Sequence, residues 1–160
     1  MRSFAYPISW RTLAVDFTEL GASRTFGVLG TGARHTGCRV IDNGGDCTGD
    51  VVDISGGRIV VKVYERVGGP PPWCAGATHA DATLGPNAVS KQVDASSTIW
   101  EIRRPGAEFF WPGNAFVEAW TDSTALLAQA EALVASFRWR RGVISSGTCA
   151  PIDTPAPDPS

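Results

Sequence analysis

Several stretches of the chain alternate apolar and polar residues with the period of two that is typical of a half-buried β-strand. In residues 9–17 (SWRTLAVDF), Leu13, Val15 and Phe17 fall on one face and polar residues on the other. Residues 25–29 are a second, shorter strand candidate, and residues 88–93 are a candidate for a short strand or a turn. The strongest strand is predicted at residues 58–65 (RIVVKVYE), because it is rich in β-branched residues and follows the turn signal SGG.

A second group of alternating segments lies between Thr98 and Trp120. TIWEIRR leads through Pro105-Gly106 into EFFW, which leads through Pro112-Gly113-Asn114 into AFVEAW. Pro-Gly turns between alternating apolar runs favour hairpins. The pattern therefore predicts a three-stranded meander.

Apolar residues recur with helical spacing in the next segment, DSTALLAQAEALVASFRWR. Asp122 or Ser123 is the expected N-cap, and Gly142 the expected end of the helix. Arg138 and its neighbouring arginines would then lie at the C-terminal end, where positive charge complements the helix dipole. The apolar positions of this helix are Leu126, Leu127, Ala130, Leu133, Val134 and Phe137.

Strands followed by one amphipathic helix indicate the α+β class, with an antiparallel β-sheet and the C-terminal helix packed on one face. Residues 31–49 are rich in Gly, Asp, Asn and Thr and are predicted to form a loop. The three prolines in GGPPP (68–72) end the strand before them. We expect one α+β domain over residues 1–149 and a Pro-rich disordered tail over residues 150–160.

Composition excludes some classes of function. The chain has 160 residues, a formal net charge of −2 and 43% hydrophobic residues, so it shows no electrostatic signature of nucleic-acid binding. No apolar run approaches the roughly 20 residues of a transmembrane helix. The N-terminus does not resemble a signal peptide, since its apolar run is short and is broken by Pro7. If Met1 is not the natural start, an export signal can precede the chain.

Four cysteines give the main indication of compartment: Cys38, Cys47, Cys74 and Cys149. They allow three pairings, of which Cys38 with Cys47 and Cys74 with Cys149 suits the spacing best. All four lie in segments predicted to be irregular, and their number is even, which favours disulfides over four free thiols in a cytosolic protein. We therefore expect an oxidising compartment and an extracellular or cell-surface location.

Two terminal motifs resemble those of known domains. Tyr6-Pro7-Ile8-Ser9-Trp10 near the start and Ala135-Ser136-Phe137-Arg138-Trp139 at the end of the predicted helix are similar to motifs of Mog1/PsbP-like domains. Small secreted or lipoprotein-type domains of actinobacteria have a similar order of strand, cysteine pair and Gly-Gly strand. The resemblance implies a sandwich of sheet and helix, and it implies no catalytic residues.

The stretch TFGVLGTGARHTGC (25–38) invites comparison with a dinucleotide-binding loop. Gly30 and Gly32 match the first two glycines of G-x-G-x-x-G, but His35 stands at the third and no helix is predicted to follow. Without a helix N-terminus the phosphate-binding dipole is missing, so no nucleotide site is predicted.

Metal sites are not predicted either. His35, His79 and the cysteines lack the compact spacing of zinc ligands. The loose acidic series Asp42, Asp46, Asp50 and Asp53 lacks the spacing of an EF-hand. The sequence thus predicts no metal and no cofactor.

No motif in the sequence supports a particular set of catalytic residues. Asp53, His79 and Ser90 can be written as a triad, but no nucleophile elbow supports it. The strand glutamates Glu101, Glu108 and Glu118 could supply paired carboxylates, although outward-facing charges are the simpler interpretation. No catalytic residue is assigned.

Aromatic residues crowd the meander. Alternation would place some in the core and others on an exposed patch suited to a protein partner or a sugar ring; the alternative is that a second layer near Trp73 covers them. The candidate binding surface comprises Trp100, Phe110, Trp111, Phe116 and Trp120.

These patterns together favour a non-catalytic extracytoplasmic domain that binds or scaffolds an unknown protein, small molecule or carbohydrate, with no nucleic-acid partner. The alternative is a small extracellular hydrolase that uses His35 or His79.

Overall fold

The computed structural model describes residues 2–13, 23–41, 44–66, 82–105 and 114–139. Eleven strands and one helix lie in these ranges. In chain order they are β1 (Arg2–Ser3), β2 (Arg11–Thr12), β3 (Ser23–Gly30), β4 (Ala33–Ile41), β5 (Gly44–Asp53), β6 (Val60–Arg66), β7 (Ala82–Leu84), β8 (Asn87–Val93), β9 (Thr98–Ile102), β10 (Ala115–Trp120), α1 (Thr124–Ser136) and β11 (Arg138–Trp139).

Seven strands form the main sheet in the order β2-β3-β6-β10-β9-β8-β7, and every neighbouring pair is antiparallel. The expected α+β class, with an antiparallel sheet and a C-terminal helix, is thereby confirmed. The strands predicted at 25–29 and 58–65 correspond to β3 and β6, and the candidate strand or turn at 88–93 forms strand β8. In the expected meander, β9 and β10 pair directly, and EFFW lies outside the described residues.

The predicted loop over residues 31–49 is wrong. β4 and β5 form an antiparallel two-stranded ribbon of their own, with Ala33 opposite Asp53 at one end and Ile41 opposite Gly44 at the other. Composition was misleading here because a ladder is formed by backbone N–H and C=O groups, which glycine and threonine supply as well as valine does.

Helix α1 begins as expected and ends earlier. Ser123 is the N-cap, and its hydroxyl accepts a hydrogen bond from the Leu126 backbone N–H at 3.3 Å. The helix stops at Ser136 and not near Gly142, because Phe137 turns extended and the chain enters β11. Arg138 lies near the C-terminal end of the helix, as expected, and its guanidinium donates a hydrogen bond to the carbonyl oxygen of Ala135 at 2.8 Å.

The main core lies between α1 and one face of the sheet, which we call the helix face. Val61 and Val63 of β6, Val117 of β10 and Trp100 of β9 are buried there against Leu133, Val134 and Phe137. Burial of each large apolar side chain contributes about 1.5–3 kcal/mol, so this layer supplies most of the stabilisation.

The N-terminal segment completes the helix face at the end of α1. β1 pairs with β11, and the ring of Phe4 stacks on Phe137 with centroids 6.1 Å apart. The hydroxyl of Ser136 accepts from the Ala5 N–H at 2.8 Å, and Trp10 is buried in the core. The residues just before the first terminal motif therefore contact the second terminal motif, and Trp10 of the first motif lies in the same core cluster as Phe137 of the second.

A buried asparagine joins the sheet to the C-terminal end of α1. The Asn87 side-chain amide donates to the carbonyl oxygens of Val134 and Phe137, at 2.9 and 3.0 Å. Val134 lies in the last turn of α1 and Phe137 is its C-cap residue, a region where backbone carbonyls lack i+4 partners within the helix. The preceding turn passes so close to the helix that Gly85, at φ +58°, has no room for a side chain beside the Ala135 carbonyl.

A compact polar turn links the ribbon to β6. Asp53 Oδ1 accepts from the Ser55 hydroxyl at 2.6 Å and from the Ser55 N–H at 2.9 Å, and Arg58 Nη2 donates to Asp53 Oδ2 at 2.7 Å. These bonds favour the ionised carboxylate. The Ser55 hydroxyl contributes most to lowering the pKa of Asp53, from 3.8 to about 2.

We predict that Asn87→Asp destabilises the protein at neutral pH by about 1–3 kcal/mol, because a carboxylate cannot donate to the two buried carbonyls. Urea unfolding followed by tryptophan fluorescence measures the loss. Gln92→Ala on the exposed part of the same strand is the control and should change stability by less than about 0.5 kcal/mol. Equal effects of the two variants would contradict the role of Asn87.

We predict that the Asp53 carboxyl titrates with a midpoint near pH 2, as measured by NMR of its side-chain carboxyl carbon. Since the folded-state pKa lies below that of the unfolded chain, the contribution of this turn to stability is present above pH 3.8 and is lost as pH falls toward 2. Ser55→Ala should raise the midpoint toward 3.8, whereas Ser90→Ala should leave it in place. A midpoint that Ser55→Ala does not move would contradict the assigned cause.

Candidate functional site on the polar sheet face

The sheet face opposite α1 carries charged, aromatic and hydroxyl side chains at its centre. Because successive side chains of a strand point to opposite faces, Lys62 and Tyr64 lie opposite to Val61 and Val63, which face the helix. The antiparallel register places Glu118 beside Lys62 and Phe116 beside Tyr64. We call this surface the polar face; its members are Lys62, Tyr64, Ser90, Glu101, Phe116 and Glu118.

The two opposite charges at its centre are largely removed from solvent. Lys62 is only 8% exposed and Glu118 is half-buried, and they are direct cross-strand neighbours. The Ser97 hydroxyl donates to Glu118 Oε1 at 2.7 Å, which fixes the position of the carboxylate. Burying charges costs free energy unless they are paired and hydrogen-bonded, so this placement is weak evidence for a role in stability.

An aromatic pair lies next to these charges. The rings of Tyr64 and Phe116 stack with centroids 5.2 Å apart and an interplanar angle of 17°. Lys62 Nζ lies 5.0 Å from the centroid of the Tyr64 ring, within the range of a cation–π interaction. Tyr64 as a whole is half-buried, so it is more accessible than Phe116, which is 7% exposed.

Glu101 extends the polar face toward the end of β9. It is 4% exposed, and its Oε1 accepts from the side-chain amide of Asn114 at 3.0 Å. The Asn114 oxygen in turn accepts from the Arg104 N–H at 3.0 Å. Asn114 therefore ties the end of β9 to the start of β10 and holds the Glu101 carboxylate in place, with Ser90 directly opposite it on β8.

The aromatic surface predicted from sequence is not exposed at the three positions that the structure describes. Trp100 is 0%, Phe116 7% and Trp120 4% exposed. Trp100 and Trp120 lie on opposite faces of the sheet, as alternation predicts, but both side chains are covered. Trp100 lies under α1. Trp120 packs with Val28, Val60 and the ribbon residues Val52 and Ile54. Phe110 and Trp111 lie outside the described residues.

The residues of the alternative hydrolase are not brought together in the described part of the chain. His35 is exposed on β4 opposite Val51, and no described carboxylate or hydroxyl bonds to its imidazole. Of the residues written as a triad, Asp53 forms hydrogen bonds with Ser55 and Arg58, and Ser90 lies on the polar face. His79, the third member, and the strand residue Glu108 lie outside the described residues. Glu101 is buried, which corrects the expectation of an outward-facing charge.

The positions of the cysteines are defined only in part. The backbone register of the ribbon sets Cys38 directly opposite Cys47. Cys74 and Cys149 lie outside the described residues, so the structure does not test the predicted second pair. Among the described residues, no three His, Cys, Asp or Glu side chains cluster as metal ligands do.

The glycine-rich stretch has a structural role. The N–H groups of Thr31 and Gly32 both donate to the carbonyl oxygen of Ile59 at 2.9 Å. Gly30, at φ +136°, lies so close to the Ile59 carbonyl that a side chain there would collide with it. These N–H groups thus close the base of the ribbon.

No protein-family model, curated protein or solved structure matches this chain significantly. In the described ranges, no helix combines the length and apolar character needed to cross a bilayer. The assignment of function therefore depends on the chemistry of the site.

Sequence reasoning missed Lys62 and Tyr64. In VVKVYER the odd-numbered positions Val61 and Val63 are apolar, and Lys62 and Tyr64 occupy the alternate face. The polar alternate positions were the available signal. Their pairing with Glu118 and Phe116 depends on the register of strands far apart in the chain.

We predict that Lys62 and Glu118 are energetically coupled. In a double-mutant cycle of Lys62→Met and Glu118→Gln, urea unfolding should give a coupling of about 0.5–3 kcal/mol, because either change alone leaves the other charge in a buried environment. The control is the exposed pair Lys91–Glu131, joined at 2.8 Å, for which coupling should stay below about 1 kcal/mol. Additive effects at Lys62 and Glu118 would contradict the interaction.

Proposed function

We propose that the chain is a non-catalytic binding domain that works outside the cytoplasm and holds its ligand on the polar face. The observation that carries the proposal is the cross-strand placement of Lys62 and Glu118 beside the stacked rings of Tyr64 and Phe116. One small area thereby offers an ammonium donor, a carboxylate acceptor and an aromatic plane.

These groups fit a carbohydrate. A sugar hydroxyl can accept a hydrogen bond from Lys62 and donate one to Glu118, and the apolar face of a sugar ring can pack on the accessible part of Tyr64. Ser97 and Asn114 hold the two carboxylates as fixed acceptors. Preorganised polar groups around one aromatic ring are the arrangement that binding sites for small polar ligands use.

The extracytoplasmic location is supported by the four cysteines and by the register of Cys38 with Cys47, since disulfides persist in oxidising compartments. The packing of α1 on one sheet face, with Trp10 and Phe137 of the two terminal motifs in one core, supports a Mog1/PsbP-like sandwich as the finer description of the fold.

The test is to screen the full chain against an array of soluble oligosaccharides and to titrate the best-retained sugar by calorimetry. Glu118→Gln should weaken its binding about tenfold or more, as expected when a charge-assisted hydrogen bond is lost. Lys91→Met on the helix face is the matched control and should change affinity less than twofold.

Two results would reject this function. If the array retains no sugar, the carbohydrate assignment is wrong. If Lys91→Met weakens binding as much as Glu118→Gln does, the ligand does not lie on the polar face. Circular dichroism of each variant shows whether the fold is intact.

A further inference from the structure

The β4–β5 ribbon presents a stability problem. Its two strands, of nine and ten residues, pair with each other and with no other described strand. A two-stranded ribbon is only marginally stable in water unless something else holds it. The inner end is held, because Val52 packs against the Val28, Val60 and Trp120 cluster and Arg34 is buried.

The outer end lies beyond an irregularity in the register between Thr36 and Cys38. We call it the outer ribbon; it comprises the paired positions from Cys38 opposite Cys47 to Ile41 opposite Gly44. Cys38 and Cys47 form the first pair beyond the irregularity. A link between them would hold the strands together where the ladder is interrupted.

The register suits such a link. Directly opposed residues of an antiparallel pair have Cα atoms about 4.5–5.5 Å apart, and disulfides span Cα separations of about 4.4–6.8 Å. The next pair along the ladder is Arg39 opposite Asp46. A slip by one residue would separate both pairs at once.

We propose that Cys38 and Cys47 form a cross-strand disulfide that acts as a redox-sensitive lock on the outer ribbon. On oxidation the two thiols lose two protons and two electrons and one S–S bond forms. The electrons pass to a disulfide oxidant such as glutathione disulfide, whose S–S bond breaks to give two thiols. Reduction reverses the exchange and releases the outer ribbon, while the main sheet and α1 stay folded. This lock does not depend on ligand binding at the polar face.

The connectivity is tested on the full chain oxidised in a glutathione redox buffer, alkylated without reduction and digested with trypsin. Cleavage after Arg39 separates the cysteines into peptides 35–39 and 40–58. We expect these two peptides joined by one disulfide in the mass spectrum. A link from either peptide to Cys74 or Cys149, or alkylation of both thiols, overturns the proposal.

The lock is tested by amide hydrogen exchange on oxidised and reduced protein. Reduction should speed exchange of the outer-ribbon amides at least tenfold and leave β6, β10 and α1 unchanged. Cys38→Ser with Cys47→Ser should behave as the reduced protein, whereas Cys74→Ser with Cys149→Ser should keep the protection of the outer ribbon. Unchanged exchange after reduction, or loss of protection throughout the sheet, contradicts the lock.

Discussion

The fold depends on how one short helix is held against a wide sheet. A helix of 13 residues is about 20 Å long, whereas seven strands spaced about 4.8 Å apart span nearly 30 Å. The helix alone cannot cover the apolar face, so the N-terminal segment supplies Phe4 and Trp10 to the same core. Asn87 fixes the C-terminal end of the helix to β8, and Ser123 caps its start just after β10.

This one-sided coverage explains the character of the polar face. Once α1 and the N-terminal segment bury the helix face, the central strands β6 and β10 have no further helix in the described residues to pack on. Near the ribbon, the sheet face opposite α1 is apolar, because Val28, Val60 and Trp120 are buried there. Farther along β6 and β10 this face carries Lys62, Tyr64 and Glu118, with Lys62 and Glu118 directly opposite each other. The charged and aromatic side chains of the polar face therefore lie at the centre of the sheet, on β6 and β10.

Local patterns predicted the elements with strong periodicity. Strand β6 followed from alternation, and α1 and its Ser123 cap followed from helical spacing and N-cap preference. The ribbon was not predictable in this way, because its polar strands are stabilised by backbone pairing with no apolar stripe. The end of α1 was missed because Phe137 continues the helical spacing although it belongs to the segment that leads into β11. The site needed long-range register, which brings Lys62 to Glu118 and which no local pattern encodes.

The position of the ribbon in the topology explains why it needs stabilisation of its own. β3 and β6 are antiparallel neighbours in the main sheet, and the chain between them leaves after Gly30 and returns at Ile59. The Thr31 and Gly32 N–H groups close this gap through the Ile59 carbonyl, so the sheet is continuous whether or not the outer ribbon is ordered. The inner end of the ribbon is held by Val52 and Ile54, which pack against the cluster of Val28, Val60 and Trp120. The turn formed by Asp53, Ser55 and Arg58 lies at the same end. The proposed link between Cys38 and Cys47 would therefore act on the outer ribbon and leave the closed base of the ribbon in place.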